Sequence, residues 1–408
     1  MSSDVFLILL GGLLVLAFLA EGLFRRFRIP PVLVLIASGV VLGPLTRLLP
    51  GERFIEVAPH FGALAFLLIL FEGGLDLNLR QIFTQARAGV LLALVGFATA
   101  AALGTGVASA VGADPAQALV IGLVLAPISG AIVLPIVARL GLREELRTIL
   151  VLEAALADVL AVLAMQVAGT VLTRGGLAAL FALGSLFAAA FSVLVAVAAG
   201  LVWPRVMRRV GDRRFVDVLT FGLAMALWGL AEVPGASGAL AVLVFGVTLA
   251  NERALLEAVG LPSEPVAEIA SDTVTQLHAF IGQLTFLVRA FFFVFLGILV
   301  SPRGLSWQWY GAGLALAGAF VIARRLVVDF VAVRAGLELD DRERNVVVLL
   351  QPRGLVSAIL AIEVAEIGLT SGSQLLGLAS LVIIVTNLLL VFAARGAGTP
   401  SEPPADRP

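Results

Sequence analysis

Long apolar runs, separated by short polar or glycine- and proline-rich stretches, fill most of the sequence. Runs of about 20 residues have the length that crosses a bilayer as a helix, whereas a membrane β-barrel shows alternating segments of about 10 residues. The pattern therefore predicts an all-α polytopic membrane protein with about 13 transmembrane helices. The predicted spans are 5–24, 31–49, 58–77, 87–111, 116–138, 148–171, 177–207, 215–231, 236–250, 280–300, 308–334, 344–367 and 374–395.

Composition supports a membrane protein and narrows its chemistry. Hydrophobic residues make up 60% of the 408 residues and charged residues only 13%, against about 25% charged in soluble domains. The chain has no cysteine, which excludes disulfides and thiolate metal sites, and only two histidines. No nucleophile–base pair and no basic cluster suited to nucleic acid stands out. We expect a lipid bilayer around the chain, no nucleic-acid partner, no cofactor and no enzymatic activity.

The arginines predict the orientation of the spans. Most loop arginines follow odd-numbered spans, and only Arg47, Arg53, Arg174 and Arg303 follow even-numbered ones. Because cytoplasmic loops are enriched in basic residues, the N-terminus should be outside and the C-terminus in the cytoplasm. The acidic segment 253–279 is too polar to span and is expected along the cytoplasmic surface. The tail 396–408, rich in proline, is expected to be disordered.

Two spans carry helix breakers near their middle. Span five contains Pro127 and Gly130, and span twelve contains Pro352 and Gly354. For either span alone a simple kink is an alternative, because proline and glycine are common in membrane helices. One break in each half of the chain favours two inverted repeats with crossed discontinuous helices, the arrangement that holds the site of many secondary transporters.

Charged groups inside the spans are the candidates for function, because a mid-bilayer charge costs at least about 2.5–3.5 kcal/mol. Glu153 and Asp158 in span six are separated by about 140° around a helix, so we expect separate roles. One would form an ion pair with a buried arginine, and the other would bind a cation or a proton. Alanine, leucine and valine surround Asp158, and this desolvation favours its protonated form. Glu72, one turn inside the end of span three, is either a direct cation ligand or an interfacial carboxylate.

Four motifs together resemble bacterial cation:proton antiporters of the NhaP type, in the sodium/proton exchanger branch. They are RIPPVLVLIASGVVLGP, LFEGGLDLNL in span three, LEAALADVLAV in span six and QPRGLVSAILA in span twelve. The resemblance implies an NhaA/NhaP-like fold and a homodimer in the bacterial inner membrane, working by an elevator-like motion. Within the transporter domain 1–395, it implies a dimerisation part of about 1–80 and 208–300, a linker helix 177–207, and a core of about 87–171 and 308–395.

The resemblance also implies roles for individual residues. Asp158 falls on the aspartate that binds cation and proton, and Glu72 on a glutamate near the ion path. Glu153 falls on the acid that pairs with a core arginine, for which Arg324 and Arg353 are both candidates. Arg353 could also neutralise the negative ends of the broken helices.

The sequence departs from the resemblance at the site itself. The family usually has Thr-Asp-Pro in span five, and here the aligned residues are Ile128, Ser129 and Gly130, so the hydroxyl of Ser129 replaces a carboxylate. Before Asp158 the family usually has asparagine, and here Ala157 stands. These substitutions fit potassium-type relatives better than a standard sodium exchanger.

The expected function is exchange of a monovalent cation, Na⁺ or K⁺, for H⁺. One carboxylate can hold a proton or a cation but not both, and electrogenic relatives have paired aspartates and a lysine near the site. This chain has a single aspartate there and no lysine at all, which predicts electroneutral exchange. The alternatives are an ion-coupled symporter of an organic anion on a related fold, a channel, and a relative that has lost transport.

Overall fold

The computed structural model describes residues 3–27, 29–49, 58–77, 79–137, 140–174, 178–210, 215–233, 236–258, 267–299, 306–366 and 372–396. The regular structure in these ranges is helical, and strands are absent from them. Positions 397–408 of the tail predicted to be disordered lie outside the described residues. The predicted all-α fold is confirmed.

The helices follow the predicted spans, two of which are divided into shorter pieces. A π-helical turn, Val41–Leu45, directly continues α2. In chain order the helices are α1 Ser3–Phe27, α2 Pro31–Val40, α3 Ala58–Asp76, α4 Leu79–Ala110, α5 Pro115–Leu125, α6 Gly130–Val137, α7 Glu144–Arg174, α8 Ala178–Val210, α9 Val216–Glu232, α10 Gly238–Ala250, α11 Glu252–Ala258, α12 Ala267–Leu299, α13 Trp307–Ala335, α14 Asp341–Leu349, α15 Leu355–Glu366 and α16 Gly372–Gly396.

Both predicted interruptions are present. Span five is divided into α5 and α6, and span twelve into α14 and α15. Pro127 and Pro352 lie in the two gaps, because proline lacks the amide hydrogen that continues a helix and its ring clashes with the preceding turn. The polypeptide therefore crosses each of these regions as two half-helices joined by an extended segment.

The first half of each interrupted span begins with a strong helix cap. The Asp114 side chain accepts hydrogen bonds from the amides of Ala116 and Gln117, at 3.0 and 3.1 Å. Asp340 and Glu343 form a reciprocal capping box at the start of α14. Such caps contribute about 1 kcal/mol each, so the sequence itself determines where these half-helices start.

Length and composition identify the chain as a multi-pass membrane protein. Within the described residues, 6 helices are long and apolar enough to cross a bilayer, among them 87–110, 144–169 and 374–393. Shorter apolar helices of 10–17 residues accompany them, including Gly238–Ala250 and Leu355–Ala365. A half-helix of an interrupted span is necessarily short, which explains the second of these.

Two helices extend well beyond the predicted start of their spans: α4 begins at Leu79 instead of residue 87, although the stretches suited to cross a bilayer are Arg87–Ala110 and Thr275–Ile298. The tenth span was expected to begin at residue 280, whereas α12 already begins at Ala267. The acidic residues of this segment suggested a separate surface segment. Acidic side chains are costly in lipid but do not interrupt helical hydrogen bonding, so hydropathy placed the helix start too late.

The chain packs as two compact units. The first comprises the described residues within 1–56, 85–158 and 293–408. In it, α16 packs against α13 and against both half-helices α14 and α15, while α15 also contacts α5. The two interrupted spans therefore belong to the same packed body.

The second unit comprises the described residues within 57–84 and 159–292. Its central helix is α10, which packs against α3, α8 and α9. Phe71 of α3 stacks on Phe245 of α10 with ring centroids 5.5 Å apart. A Cβ added at Gly246 would lie 2.7 Å from the Phe71 carbonyl oxygen, so only glycine lets the two backbones approach this closely.

Candidate functional site

Asp158 is a fully buried carboxylate facing the start of α6. Its side chain stands on α7, and the residue is only 1% exposed. Oδ2 accepts a hydrogen bond of 3.1 Å from the backbone amide of Gly130, the first residue of α6. Oδ1 has no hydrogen-bond partner in the described part of the chain. One oxygen of this carboxylate is therefore held, and the other can accept a ligand.

Ser129 joins the two interruptions. Its backbone amide donates to the carbonyl of Pro352 at 2.9 Å, and its own carbonyl accepts from the amides of Ile132 and Val133 in the first turn of α6. Its hydroxyl is buried, and no hydrogen-bond partner for it is found among the described residues. Where the two interruptions touch, the Ser129 hydroxyl is therefore available, directly before Gly130, whose amide contacts Asp158.

The second interruption is held in place by α16. The amide of Arg353 donates to the Thr386 hydroxyl at 3.0 Å, and its carbonyl accepts from the Asn387 side-chain amide at 2.8 Å. These side chains replace the helical partners that the break removes, since buried backbone groups require hydrogen bonds. A Cβ added at Gly354 would lie 2.7 Å from the Cβ of Ser129, so the extended segments touch at this glycine.

The guanidinium of Arg353 lies inside the protein and forms no ion pair with a carboxylate of the described residues. Arg353 is 2% exposed, and its guanidinium carbon lies 4.3 Å from the centre of the Phe320 ring. Nη1 donates weakly to the Gln351 carbonyl at 3.5 Å. This position follows directly after the C-terminal end of α14, where helix carbonyls concentrate negative potential.

Glu153 and Arg324 form a two-armed ion pair. Nη1 and Nη2 of Arg324 donate to the two carboxylate oxygens of Glu153, the second at 2.7 Å. Nε of the same guanidinium donates to the Val347 carbonyl at 3.3 Å, and both side chains are 3% exposed. Of the two arginines that the sequence left open, Arg324 is the one that lies against Glu153.

A small cavity lies beside the second interruption. Its volume of about 20 Å³ has room for about one water molecule. Thr99, Phe320, Gln351 and Arg353 are among the residues that line it. Nε2 of Gln351 and Nε of Arg353 have no hydrogen-bond partner within the described ranges, so a bound water has polar groups to contact there.

Glu72 belongs to the second unit, where it is half-buried on α3. Its carboxylate lies near the Thr285 side chain and the positive charge of Arg289. One turn further along, Asp76 lies 2.8 Å from Nε2 of His278. Arg289 is therefore an electrostatic neighbour of Glu72.

Sequence reasoning missed the groups that act through the backbone. The amide of Gly130 and the carbonyl of Pro352 have no side-chain signature, so no motif could reveal them. Thr386 and Asn387 did leave a signal, because two adjacent polar residues interrupt the apolar run IIVTNLLL of the last span. Polar residues in such a run require partners inside the protein.

Two interrupted helices that touch beside a buried carboxylate, in a multi-pass helical protein, define the fold of a secondary transporter. The model of the family "Sodium/hydrogen exchanger, transmembrane" matches residues 13–394. The chain belongs to this sodium/hydrogen exchanger family.

Curated relatives of similar length support this membership. Na(+)/H(+) antiporter 1 of Methanocaldococcus jannaschii is 24% identical over 372 residues, which cover 87% of this chain and 82% of the relative. Na(+)/H(+) antiporter NhaH of Halobacillus aidingensis is 25% identical over 373 residues, which cover 88% and 89%.

Solved structures show the same fold. The sodium proton antiporter MjNhaP1 from Methanocaldococcus jannaschii at pH 8 superposes with a TM-score of 0.79 at 21% identity, covering 97% of this chain and 99% of that chain. An electron-microscopy map of MjNhaP1 gives a TM-score of 0.75 at 19% identity. The predicted NhaP-like antiporter fold is confirmed.

Proposed function

We propose that this protein exchanges a monovalent cation, Na⁺ or K⁺, for H⁺ across the membrane, and that both bind at Asp158. The observation that carries the proposal is the Asp158 carboxylate, which is buried beside two helix interruptions and whose Oδ1 has no hydrogen-bond partner among the described residues. A lone carboxylate away from water binds one positive species at a time, because an uncompensated charge is costly there. Family membership supports the same reaction.

Competition for one carboxylate is sufficient to couple the two fluxes. A proton on Asp158 excludes the cation, and a bound cation excludes the proton, so each crossing of the loaded site carries one or the other. Ala157 precedes Asp158, and the chain contains no lysine, which leaves a single exchangeable charge at this position. Exchange is then one for one and electroneutral.

The remaining site residues have supporting roles. Ser129 offers a hydroxyl oxygen as a cation ligand, and hard monovalent cations prefer oxygen ligands. The pair of Glu153 and Arg324 is neutral overall and ties α7 to α13. Arg353 compensates the carbonyl end of α14, and Glu72 attracts cations along the ion path.

The working cycle is an elevator-like alternating access in a homodimer. Support comes from the resemblance to NhaP-type antiporters, in which a core of about 87–171 and 308–395 moves against a dimerisation part. The arginine distribution supports an external N-terminus and a cytoplasmic C-terminus, in the inner membrane of a bacterium.

Proteoliposomes with an internal pH-sensitive dye test the proposal. Addition of Na⁺, K⁺ or Li⁺ should drive proton movement in the wild type and none in Asp158→Asn. Asparagine is close in size and retains an oxygen that can accept from Gly130, so the fold should persist. Glu145→Gln is the matched control, because Glu145 is an exposed carboxylate at the start of the same helix.

Two results contradict the proposal. The first is cation-driven proton movement that persists in Asp158→Asn at the wild-type rate. The second is the absence of proton movement with every cation in wild-type protein of native thermal stability, which favours an organic-anion symporter or a transport-deficient relative.

A further inference from the structure

The hydrogen bond between Gly130 and Asp158 depends on glycine replacing the proline usual in this family. A proline at this position has no amide hydrogen, whereas Gly130 donates to Oδ2 at 3.1 Å. The residue before it, Ser129, replaces an aspartate. Two substitutions in adjacent positions thus act in the same direction, because each reduces the negative charge that a bound cation meets.

The geometry weakens the electrostatic field that the Asp158 carboxylate presents to a cation in two ways. The amide hydrogen bond draws electron density onto Oδ2, as charge-assisted hydrogen bonds to carboxylates do. The amide is also the first of α6, and the N-terminal end of a helix carries partial positive charge. Oδ1 of Asp158 and the Ser129 hydroxyl, both buried and without partners in the described part of the chain, remain to contact a cation.

The strength of the ligand field selects among monovalent cations. A small ion such as Na⁺ loses more hydration energy on entering a dry site, and only a strongly negative ligand set compensates that loss. A weaker field favours the larger, less strongly hydrated K⁺, and field strength is a recognised source of K⁺/Na⁺ selectivity.

We infer that the Gly130 amide, by holding Oδ2 of Asp158, sets the cation preference of this exchanger in favour of K⁺ over Na⁺. The inference rests on the proposed function, since it concerns the same site, and it makes Gly130 a positioning residue. Because glycine has no side chain, the backbone amide hydrogen alone is the group that determines the cation preference.

Three variants at one position separate the hydrogen bond from the added volume. Gly130→Ala keeps the amide hydrogen, and its Cβ would lie 3.0 Å from Oδ2 of Asp158. Gly130→Pro removes the hydrogen but also places its ring Cδ where that hydrogen was, facing Oδ2, so the carboxylate must move. Proline is well tolerated at the first position of a helix. Ser129 precedes it at the N-cap position, where its carbonyl accepts the first helical hydrogen bonds, and the usual extended backbone of that position suits a following proline.

The measurement is the KM for K⁺ and for Na⁺ in proteoliposomes at one fixed pH, for the wild type and both variants. The wild type should have a lower KM for K⁺ than for Na⁺. Gly130→Pro should shift the ratio of the two KM values towards Na⁺ by about fivefold or more, since a hydrogen bond to a charged group is involved. Gly130→Ala should leave the ratio within about twofold of the wild type.

An ester variant at position 130 tests the hydrogen bond without the proline ring, and it serves as the test if Gly130→Pro does not fold. Lactic acid incorporated at position 130 converts the amide into an ester, which removes the hydrogen and keeps the alanine side chain. Its ratio should shift as in Gly130→Pro, with Gly130→Ala as its exact steric match.

The outcomes separate this inference from the proposed function. Wild-type protein that exchanges no cation for protons overturns the proposed function itself. Active wild-type protein that prefers Na⁺, an unchanged ratio in the proline and ester variants, or an equal shift in Gly130→Ala overturns the role of the amide and leaves the exchange reaction standing.

Discussion

The guanidinium of Arg324 meets both carboxylate oxygens of Glu153, and the two side chains are almost completely withdrawn from the surface, each at 3% exposure. They stand on different helices, α13 and α7, far apart in sequence. The same α7 carries Asp158 five positions later. The ion pair therefore fixes the helix that presents the candidate cation ligand.

Removing one partner of this ion pair should destabilise the protein strongly. Glu153→Gln leaves the Arg324 charge buried and uncompensated, which costs about 3–5 kcal/mol. The matched control is Glu144→Gln, at the start of the same helix α7, whose pair with Arg147 is exposed and should contribute about 0–1 kcal/mol. Thermal unfolding in detergent should show a large fall in Tm for the first variant only.

The double variant Glu153→Gln with Arg324→Met gives the complementary test. It removes both charges, so its Tm should exceed that of Glu153→Gln alone. Equal Tm values for Glu153→Gln and Glu144→Gln would contradict the role assigned to the buried pair.

The contact between the two interrupted spans leaves no room for a side chain at position 354. Gly354→Ala would place a Cβ 2.7 Å from the Cβ of Ser129, and such overpacking costs about 1–3 kcal/mol. It would also separate the two extended segments and reduce exchange. Gly106→Ala is the control, because no atom lies within 4 Å of its added Cβ and alanine favours a helix over glycine by about 1 kcal/mol.

Thermal stability and exchange rate in proteoliposomes check both variants. We expect a lower Tm and slower exchange for Gly354→Ala, and an unchanged or higher Tm with normal exchange for Gly106→Ala. A Gly354→Ala protein as stable and active as the wild type would show that the two segments are not closely packed in the membrane.

Membrane voltage should not alter the exchange rate. One cation moving against one proton transfers no net charge, whereas transfer of one charge would couple the cycle to voltage at about 2.3 kcal/mol per 100 mV. Electrodes covered by a solid-supported membrane should record no transport current on cation addition, while a dye reports proton flux in the same vesicles. A transient current whose size increases with the flux would exclude one-for-one exchange.

Glu72→Gln separates the two interpretations that the sequence left open for this residue. If its carboxylate attracts cations along the ion path, the variant should raise the cation KM about three- to tenfold with little change in the maximal rate. Asp76→Asn, an exposed carboxylate one turn away, should leave KM near the wild-type value. An unchanged KM in Glu72→Gln would assign Glu72 to the interface with water.

Much of the fold could be predicted because its determinants are local. Apolar length places the helices, Asp114 and Asp340 cap the first half-helices, and Pro127 and Pro352 break them. Each effect acts within a few residues along the chain, so a linear sequence contains it. The start of α12 shows the limit of this reasoning, since hydropathy reports the cost of lipid contact and not helix formation.

The sequence by itself also determined which side chains must have partners, because Glu153, Asp158, Arg324 and Arg353 stand in apolar runs. Only the tertiary structure decided the partners. Arg324 and Arg353 are chemically equivalent candidates for Glu153, and only the folded position of the Arg324 guanidinium against Glu153 distinguishes them. The ligand of Asp158 is a backbone amide whose position depends on where α6 begins in space, and every residue type except proline carries the same group. Contacts between segments distant in sequence, and hydrogen bonds from main-chain donors, therefore became known only from the folded protein.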